Sequence, residues 1–248
     1  MPFSPVSLGL PRFEGATLRQ APFALVLGCS DARVPTEAVF DQSFNDLFVV
    51  RIAGNVLGTE CLGSIDYAVK NMEESLQLVV VMGHSGCGAV SAAVDGYLSP
   101  HDFLDIACTH ALRSLVDRIQ IAVRGAAKSL VAVAGNAIVS KKAYREMLIE
   151  AAVYLNAAVT AHDLRREIRS LGNSKIRVVY GVYDLTTLRI RAQPGDAAVA
   201  AGLPAAFADA PECADDLVKI GQGLAELLVA QVEATTQTWS SGTQTWTG

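Results

Sequence analysis

Two stretches of this chain place reactive side chains at turns. In Gly28-Cys29-Ser30-Asp31-Ala32-Arg33, a thiol, a carboxylate and a guanidinium stand at alternate positions, just after the apolar run Phe23–Leu27. Further on, the apolar run Leu78–Met82 ends in Gly83-His84-Ser85-Gly86-Cys87-Gly88. Cys29, His84 and Cys87 offer two thiolates and one imidazole, a donor set that suits zinc and leaves a fourth tetrahedral position open. Two thiolates cancel the charge of a dication, so the ion acidifies bound water less than one held by three histidines. Asp31 and Arg33 are placed to compensate. Asp31 can accept a hydrogen bond from zinc-bound water or hydroxide, and Arg33 can keep Asp31 ionised and fixed through a charge-assisted fork. A hydroxide made near neutral pH attacks an electrophilic carbon. Without Arg33, Asp31 is close enough in sequence to take the fourth coordination position itself, which would close the site.

Taken singly, each residue has a plainer reading. A strand cysteine is most often a small buried hydrophobe, a lone histidine a hydrogen-bonded structural residue, and an Asp–Arg pair a turn-stabilising ion pair. The joint pattern of Cys-x-Asp-x-Arg at one strand end and His-x-x-Cys at another carries the functional reading. A purely structural zinc takes four Cys/His ligands and no adjacent Asp–Arg pair.

The elements that position these residues follow from periodicity. Continuous apolar runs at Phe23–Leu27, Leu47–Ile52, Leu78–Met82 and Ile176–Val182 read as strands covered on both faces, with a short strand near Leu188–Arg191. Helices are expected from Pro35-Thr36-Glu37, from Thr59 as a cap to about Met72, over Gly88–Val94, within His101–Arg124, from Ser140 to about Leu171, and over 214–234. Residues Leu62, Ile65, Tyr67, Ala68 and Val69 are the candidate buried positions of the second helix, and 125–139 are unassigned. Strands alternating with helices imply an α/β fold, a mostly parallel β-sheet flanked by helices. Both motifs then fall at the carboxyl ends of strands, where ligands gather in such sheets. The domain reading is a catalytic domain over 1–195, including an irregular N-terminal arm over 1–22. Residues 196–248 form an Ala-rich and helical C-terminal extension with a low-complexity end.

Composition excludes several classes. Of 248 residues, 51% are apolar and 18% charged, which allows a large core, and no apolar run approaches the ~18 residues of a membrane span. A net charge of −5 without a basic stripe argues against nucleic-acid binding. Met1 to Leu10 has no basic segment or cleavage pattern, so no secretory leader is expected. Five cysteines, an odd number outside any dense framework, point to reduced thiols and a cytoplasmic location. Cys61, Cys108 and Cys213 read as core or surface thiols, and nothing selects His101, His110 or His162 as a proton relay.

The chain resembles the β-class carbonic anhydrases. The resemblance runs from about Phe13 to Arg191, through Gln20-Ala21-Pro22, Cys29-Ser30-Asp31-Ala32-Arg33-Val34-Pro35, Phe40-Asp41-Gln42, Asp46–Arg51, Ala53-Gly54-Asn55, Gly63–Val69, Gly83–Gly88 and Gly181–Leu185. It implies reversible hydration of carbon dioxide to bicarbonate and a proton by zinc-bound hydroxide. It implies one zinc per subunit on Cys29, His84 and Cys87, with Asp31 and Arg33 as the catalytic dyad and Asp31 as fourth ligand only in a closed state. It also implies a homodimer or dimer of dimers with the site at the subunit boundary. Gln20 resembles the family glutamine that reaches substrate across the dimer, Phe48 and Tyr67 match aromatic pocket walls, and the Gly88 amide matches one that faces substrate. On the same metal set, a carbon disulfide or carbonyl sulfide hydrolase is the enzymatic alternative, and a zinc-stabilised assembly module the non-catalytic one. The chain departs from the family in a short N-terminal arm and in Val26, where some bacterial relatives carry tryptophan. It departs again in Leu185-Thr186-Thr187-Leu188, where a Thr-Gly turn is common, and after Gly195, where no counterpart is expected.

Overall fold

The computed structural model describes residues 19–101, 103–194 and 207–241, without the side chains of 104 and 235–241. Most of the N-terminal arm, including Phe13, most of the Ala-rich stretch and the last residues of the low-complexity end lie outside the described residues. Four parallel strands form the centre: β1 (Ala24–Gly28), β2 (Leu47–Arg51), β3 (Leu78–His84) and β4 (Arg177–Asp184). Their order is β2-β1-β3-β4, continued by the antiparallel β5 (Arg189–Arg191), while the short β6 (Ala208–Asp209) also pairs with β4.

Side chains alternate across a strand, so each face collects every second residue. Leu25 and Leu27 of β1, Val79 and Val81 of β3, and Val178, Tyr180 and Val182 of β4 join the main core. Against this face pack α2 (Thr59–Asn71), α3 (Gly88–Leu98), α5 (His110–Ala134) and α6 (Tyr144–Ser170). The other face carries a smaller cluster of Val26, Val80, Met82 and Val179, covered by Val39 and Phe40 at the short α1 (Thr36–Val39) and by Leu185, Ile190 and Phe207. The sheet is therefore flanked on both sides, but very unequally.

The helices follow their sequences. In α5, Val116, Ile119, Ala122, Val123, Ala126, Ala127 and Leu130 recur at three- and four-residue spacing and are buried. Thr109 caps this helix, its Oγ1 accepting from the Leu112 amide at 3.1 Å. The unassigned 125–139 stretch continues α5 to Ala134, where Gly135 (φ +75) ends it. The short α4 (Phe103–Ile106) precedes α5, so the helical pattern seen from His101 is two helices rather than one. Every residue from Ala151 to Ala158 is buried, which makes α6 the central helix. Thr59 is the first helical residue of α2, and Gly58 occupies the cap position without a side-chain bond. Tyr67 is 55% exposed rather than buried, because α2 turns Cys61, Ile65, Ala68 and Val69 inward and Tyr67 falls outside that stripe.

The C-terminal segment shares this core. The helix α7 (Ala214–Ser241) packs on α5 and α6, and its Leu224, Ala225 and Leu228 are buried with the main cluster. Its approach is close: a Cβ at Gly221 would stand 2.6 Å from Ser129 Oγ on α5. No helix among the described residues is long and apolar enough to cross a membrane.

Candidate metal centre

Parallel pairing places Gly28 beside Met82 and beside Arg51, so three strands end on one edge of the sheet. Cys29 follows β1, His84 closes β3, and Cys87 is the cap residue of α3. Their ligand atoms all lie within 4.8 Å of one another, and the three residues are 5%, 1% and 1% exposed. The two sulfurs are 3.9 Å apart. That separation is too long for a disulfide, and it matches the ~3.8 Å expected when two Zn–S bonds of about 2.3 Å meet at a tetrahedral angle.

The protonation pattern is that of a cation site. Cys29 is drawn well below the ordinary thiol range, first by a hydrogen bond from Cys87. Burial opposes the shift, and His84 with the backbone at Gly54 and Asp31 adds to it. Cys87 is pushed up, first by that same bond to Cys29 and then by burial. The sulfurs thus share a proton that a divalent ion would displace. Burial disfavours a charge on His84, but the Cys29 thiolate, the Ser85 carbonyl and Asp31 together raise its pKa. His84 Nδ1 lies 3.0 Å from Ser85 O and must donate there, because a carbonyl only accepts. Its Nε2 is buried and has no hydrogen-bond partner among the described residues. An orphaned imidazole nitrogen beside two thiols is the arrangement a metal satisfies, so the donor set fits zinc.

Asp31 and Arg33 form the expected fork. Arg33 Nε donates to Oδ1 at 2.9 Å and Nη2 to Oδ2 at 2.7 Å, with the Arg33 amide also on Oδ1 at 2.9 Å. The guanidinium holds the carboxyl far below the usual carboxylate range. Asp31 Oδ2 lies 3.7 Å from His84 Nε2, beyond hydrogen-bonding distance but on the same space. Gly88 is the first residue of α3, next to Cys87. Phe48 is partly buried against the main core, while Gln20 and Tyr67 are exposed. Among the described residues, no hydrogen bond or ion pair joins the side chains of Gln20, Phe48 or Tyr67 to the cluster.

A family model for carbonic anhydrase matches residues 24–190. The chain belongs to the β-class carbonic anhydrase family. It is 48% identical over 88 residues to a carbonic anhydrase of Mycolicibacterium smegmatis, covering 36% of this chain and 42% of that protein. It is 49% identical over 80 residues to carbonic anhydrase 2 of Mycobacterium tuberculosis, covering 32% and 38%. The chain thus spans about two-fifths of the length of these curated relatives. A tetrameric β-carbonic anhydrase of Sordaria macrospora superposes with a TM-score of 0.55 at 24% identity, over 70% of this chain and 81% of that one. A Coccomyxa β-carbonic anhydrase in complex with acetazolamide does so with 0.55 at 20% identity, over 69% and 72%. At these identities the superpositions establish the fold.

Three groups that support the cluster were not singled out from sequence. Arg51, at the end of β2, donates from Nε to Cys29 O at 2.9 Å and from Nη2 to Asp31 O, clamping the loop between ligand and dyad. The Gly54 amide donates to Cys29 Sγ at 3.3 Å. Asn156 of α6 donates from Nδ2 to Gly54 O at 2.8 Å. Arg51 and Gly54 lie inside stretches that resemble the family. For Asn156 the signal was a lone amide within the otherwise apolar run 151–159.

Proposed function

We propose that this chain catalyses the reversible hydration of carbon dioxide to bicarbonate and a proton, with one zinc per subunit on Cys29, His84 and Cys87. The observation that carries the reading is the buried convergence of those three donors beside an ionised Asp31. When bound, the ion supplies Lewis acidity that lowers the pKa of water toward neutrality and leaves one position open for it. The protein's own groups supply orientation. An ionised Asp31 only accepts hydrogen bonds, so water beside it must donate a proton toward Oδ and turn a lone pair toward the substrate. Arg33 donates to both carboxylate oxygens and would hold Asp31 back from a bound ion. That favours an open coordination, with Asp31 as fourth ligand reserved for a closed form in which the fork is broken. Gln20, Phe48, Tyr67 and the Gly88 amide are proposed to line the substrate pocket, Gln20 from the neighbouring subunit. The apolar carbon dioxide needs greasy walls and few donors.

A homodimer or dimer of dimers is part of this proposal. Its support is the outer edge of β2, the last strand of the sheet, with Phe44 just before it and Tyr67 on the adjoining α2 both more than half exposed. Residues 1–195 are proposed as the catalytic domain and 196–248 as an added segment, since the family match stops at 190. A cytoplasmic location fits five cysteines, none of them in a disulfide. Stopped-flow hydration of carbon dioxide, joined to metal analysis, tests the central claim. The expected outcome is one zinc per chain and a rate lost on chelation. Sulfide release from carbonyl sulfide or carbon disulfide without carbon dioxide hydration would move the activity to the sulfur substrates, and zinc with neither activity would leave an assembly module.

A further inference from the structure

We infer that Asn156 is a positioning residue for the metal centre, acting through the Gly54 peptides on the sulfur of Cys29. The inference rests on the zinc reading above. Asn156 is 3% exposed, in the middle of a helix whose neighbours from Ala151 to Ala158 are all buried. A buried amide in apolar surroundings is costly unless bonded, and an apolar side chain would pack there at no such cost. Its Nδ2 bonds a carbonyl 102 residues away in the chain, that of Gly54.

Gly54 has no side chain to fix it. Its φ of +71 is in the left-handed region, and a Cβ there would meet Ile119 Cδ1 at 2.8 Å and Ala89 Cβ at 3.2 Å. The positive φ, with the close Ala89 Cβ, therefore favours glycine, the residue with the loosest backbone. Its orientation is held by two hydrogen bonds, its carbonyl on Asn156 and its amide on Cys29 Sγ. An N–H···S bond draws electron density from the sulfur. With two thiolates already offsetting a dication, each such bond leaves the ion a stronger Lewis acid and fixes the ligand's direction. Among the described residues the side-chain amide of Asn156 hydrogen-bonds Gly54 and none of the three metal-ligand candidates, so its effect passes through Gly54.

The test compares wild-type protein with Asn156→Leu, which keeps the branched shape and removes the donor, and with Asn156→Ser, which cannot reach Gly54. Leu164→Ala, a core truncation on the same helix, controls for lost stability. The readouts are the thiolate-to-cobalt charge-transfer band of the cobalt(II)-loaded protein and zinc affinity measured against a chromophoric chelator. Both Asn156 variants should shift the band to lower energy and weaken zinc by about 10–100-fold, while Leu164→Ala melts earlier with band and affinity unchanged. If Asn156→Leu does not fold, Asn156→Ser reads the same two quantities. A metal-loaded wild type with an unaltered band and affinity in the folded Asn156 variant overturns this inference alone. A wild type that takes up neither cobalt nor zinc overturns the zinc reading, and this inference with it.

Discussion

Arginine–carboxylate pairs stand at both ends of the parallel strands, and they do different work. At the carboxyl end, Asp31 and Arg33 lie two residues apart in one turn, so their fork ties no distant segments together. Asp31 is only 18% exposed and faces an imidazole nitrogen that has no hydrogen-bond partner among the described residues. At the amino end, Arg177 of β4 holds Asp209 of β6, and Arg165 of α6 holds Glu212 just before α7. Those pairs join residues 32 and 47 positions apart and moor the C-terminal segment on the core. His162 Nδ1 adds a bond to the Pro211 carbonyl, and Arg165 another to the carbonyl of Ala210. A sequence-local pair beside an unmet polar atom suits the chemical role proposed for it, whereas a sequence-distant pair that joins two elements is architecture. Substitutions at the two ends should separate along that line.

The largest effect belongs to the ligands. Cys87→Ser or His84→Ala should abolish stoichiometric zinc, with affinity falling by more than about 10²-fold, because even groups that only orient ligands typically cost 10–100-fold. Metal analysis after dialysis reads this directly, and zinc retained at one per chain in both variants would remove the carboxyl end from chemistry. Next comes Asp31→Asn, which keeps the shape and loses the charge. An amide can donate as well as accept, so it no longer forces water to present a lone pair outward. Zinc should stay while kcat for hydration falls by about 10²-fold or more. Unchanged kcat would reduce the fork to a turn-stabilising pair, structural in role like the pairs at the amino end.

Gly54→Ala tests the backbone shared by the site and the core. It forces a left-handed residue to carry a Cβ against Ile119 and Ala89. The conformational cost of about 1–2 kcal/mol and the overpacking cost of about 1–3 kcal/mol together predict a loss of about 2–5 kcal/mol, read by urea denaturation. Zinc affinity should fall alongside, which no amino-end substitution should reproduce.

Much of this contrast was legible in the sequence because the carboxyl end is built from local motifs. Cys29, Asp31 and Arg33 sit in one hexapeptide, and His84 with Cys87 in another. Strand runs such as Leu78–Met82 announce both the parallel sheet and where its edge lies. The amino end left no such trace, since Arg177 and Asp209 are ordinary surface residues until β6 pairs with β4. Asn156 was hidden for the same reason: a single amide in a helix says nothing about the carbonyl it will meet across the core. The extent of α5 was obscured because Ala, Val and Gly at 125–134 carry little amphipathic contrast. Tyr67 is apolar enough to read as buried, but it falls outside the Cys61, Ile65, Ala68 and Val69 stripe that α2 turns inward.

The smallest effect should come from the mooring pairs. Arg177 and Asp209 are 68% and 65% exposed, and exposed pairs contribute little that salt does not screen. Arg177→Ala should leave zinc content and hydration unchanged and lower the melting temperature slightly, with the difference fading in molar salt. Its pH dependence has a definite sign. Arg177 holds the Asp209 carboxyl below its ordinary value, so the folded state gives up that proton more readily than the unfolded chain. The pair therefore contributes stability at pH values above ~3.9, the unfolded carboxylate range, and loses it as pH falls further through the folded value. The gap in melting temperature between wild type and Arg177→Ala should accordingly be present at neutral pH and close in acid. A gap that widened in acid, or a loss of hydration activity in this variant, would show that the two ends are not separable and that the segment carrying β6 and α7 reaches the metal centre.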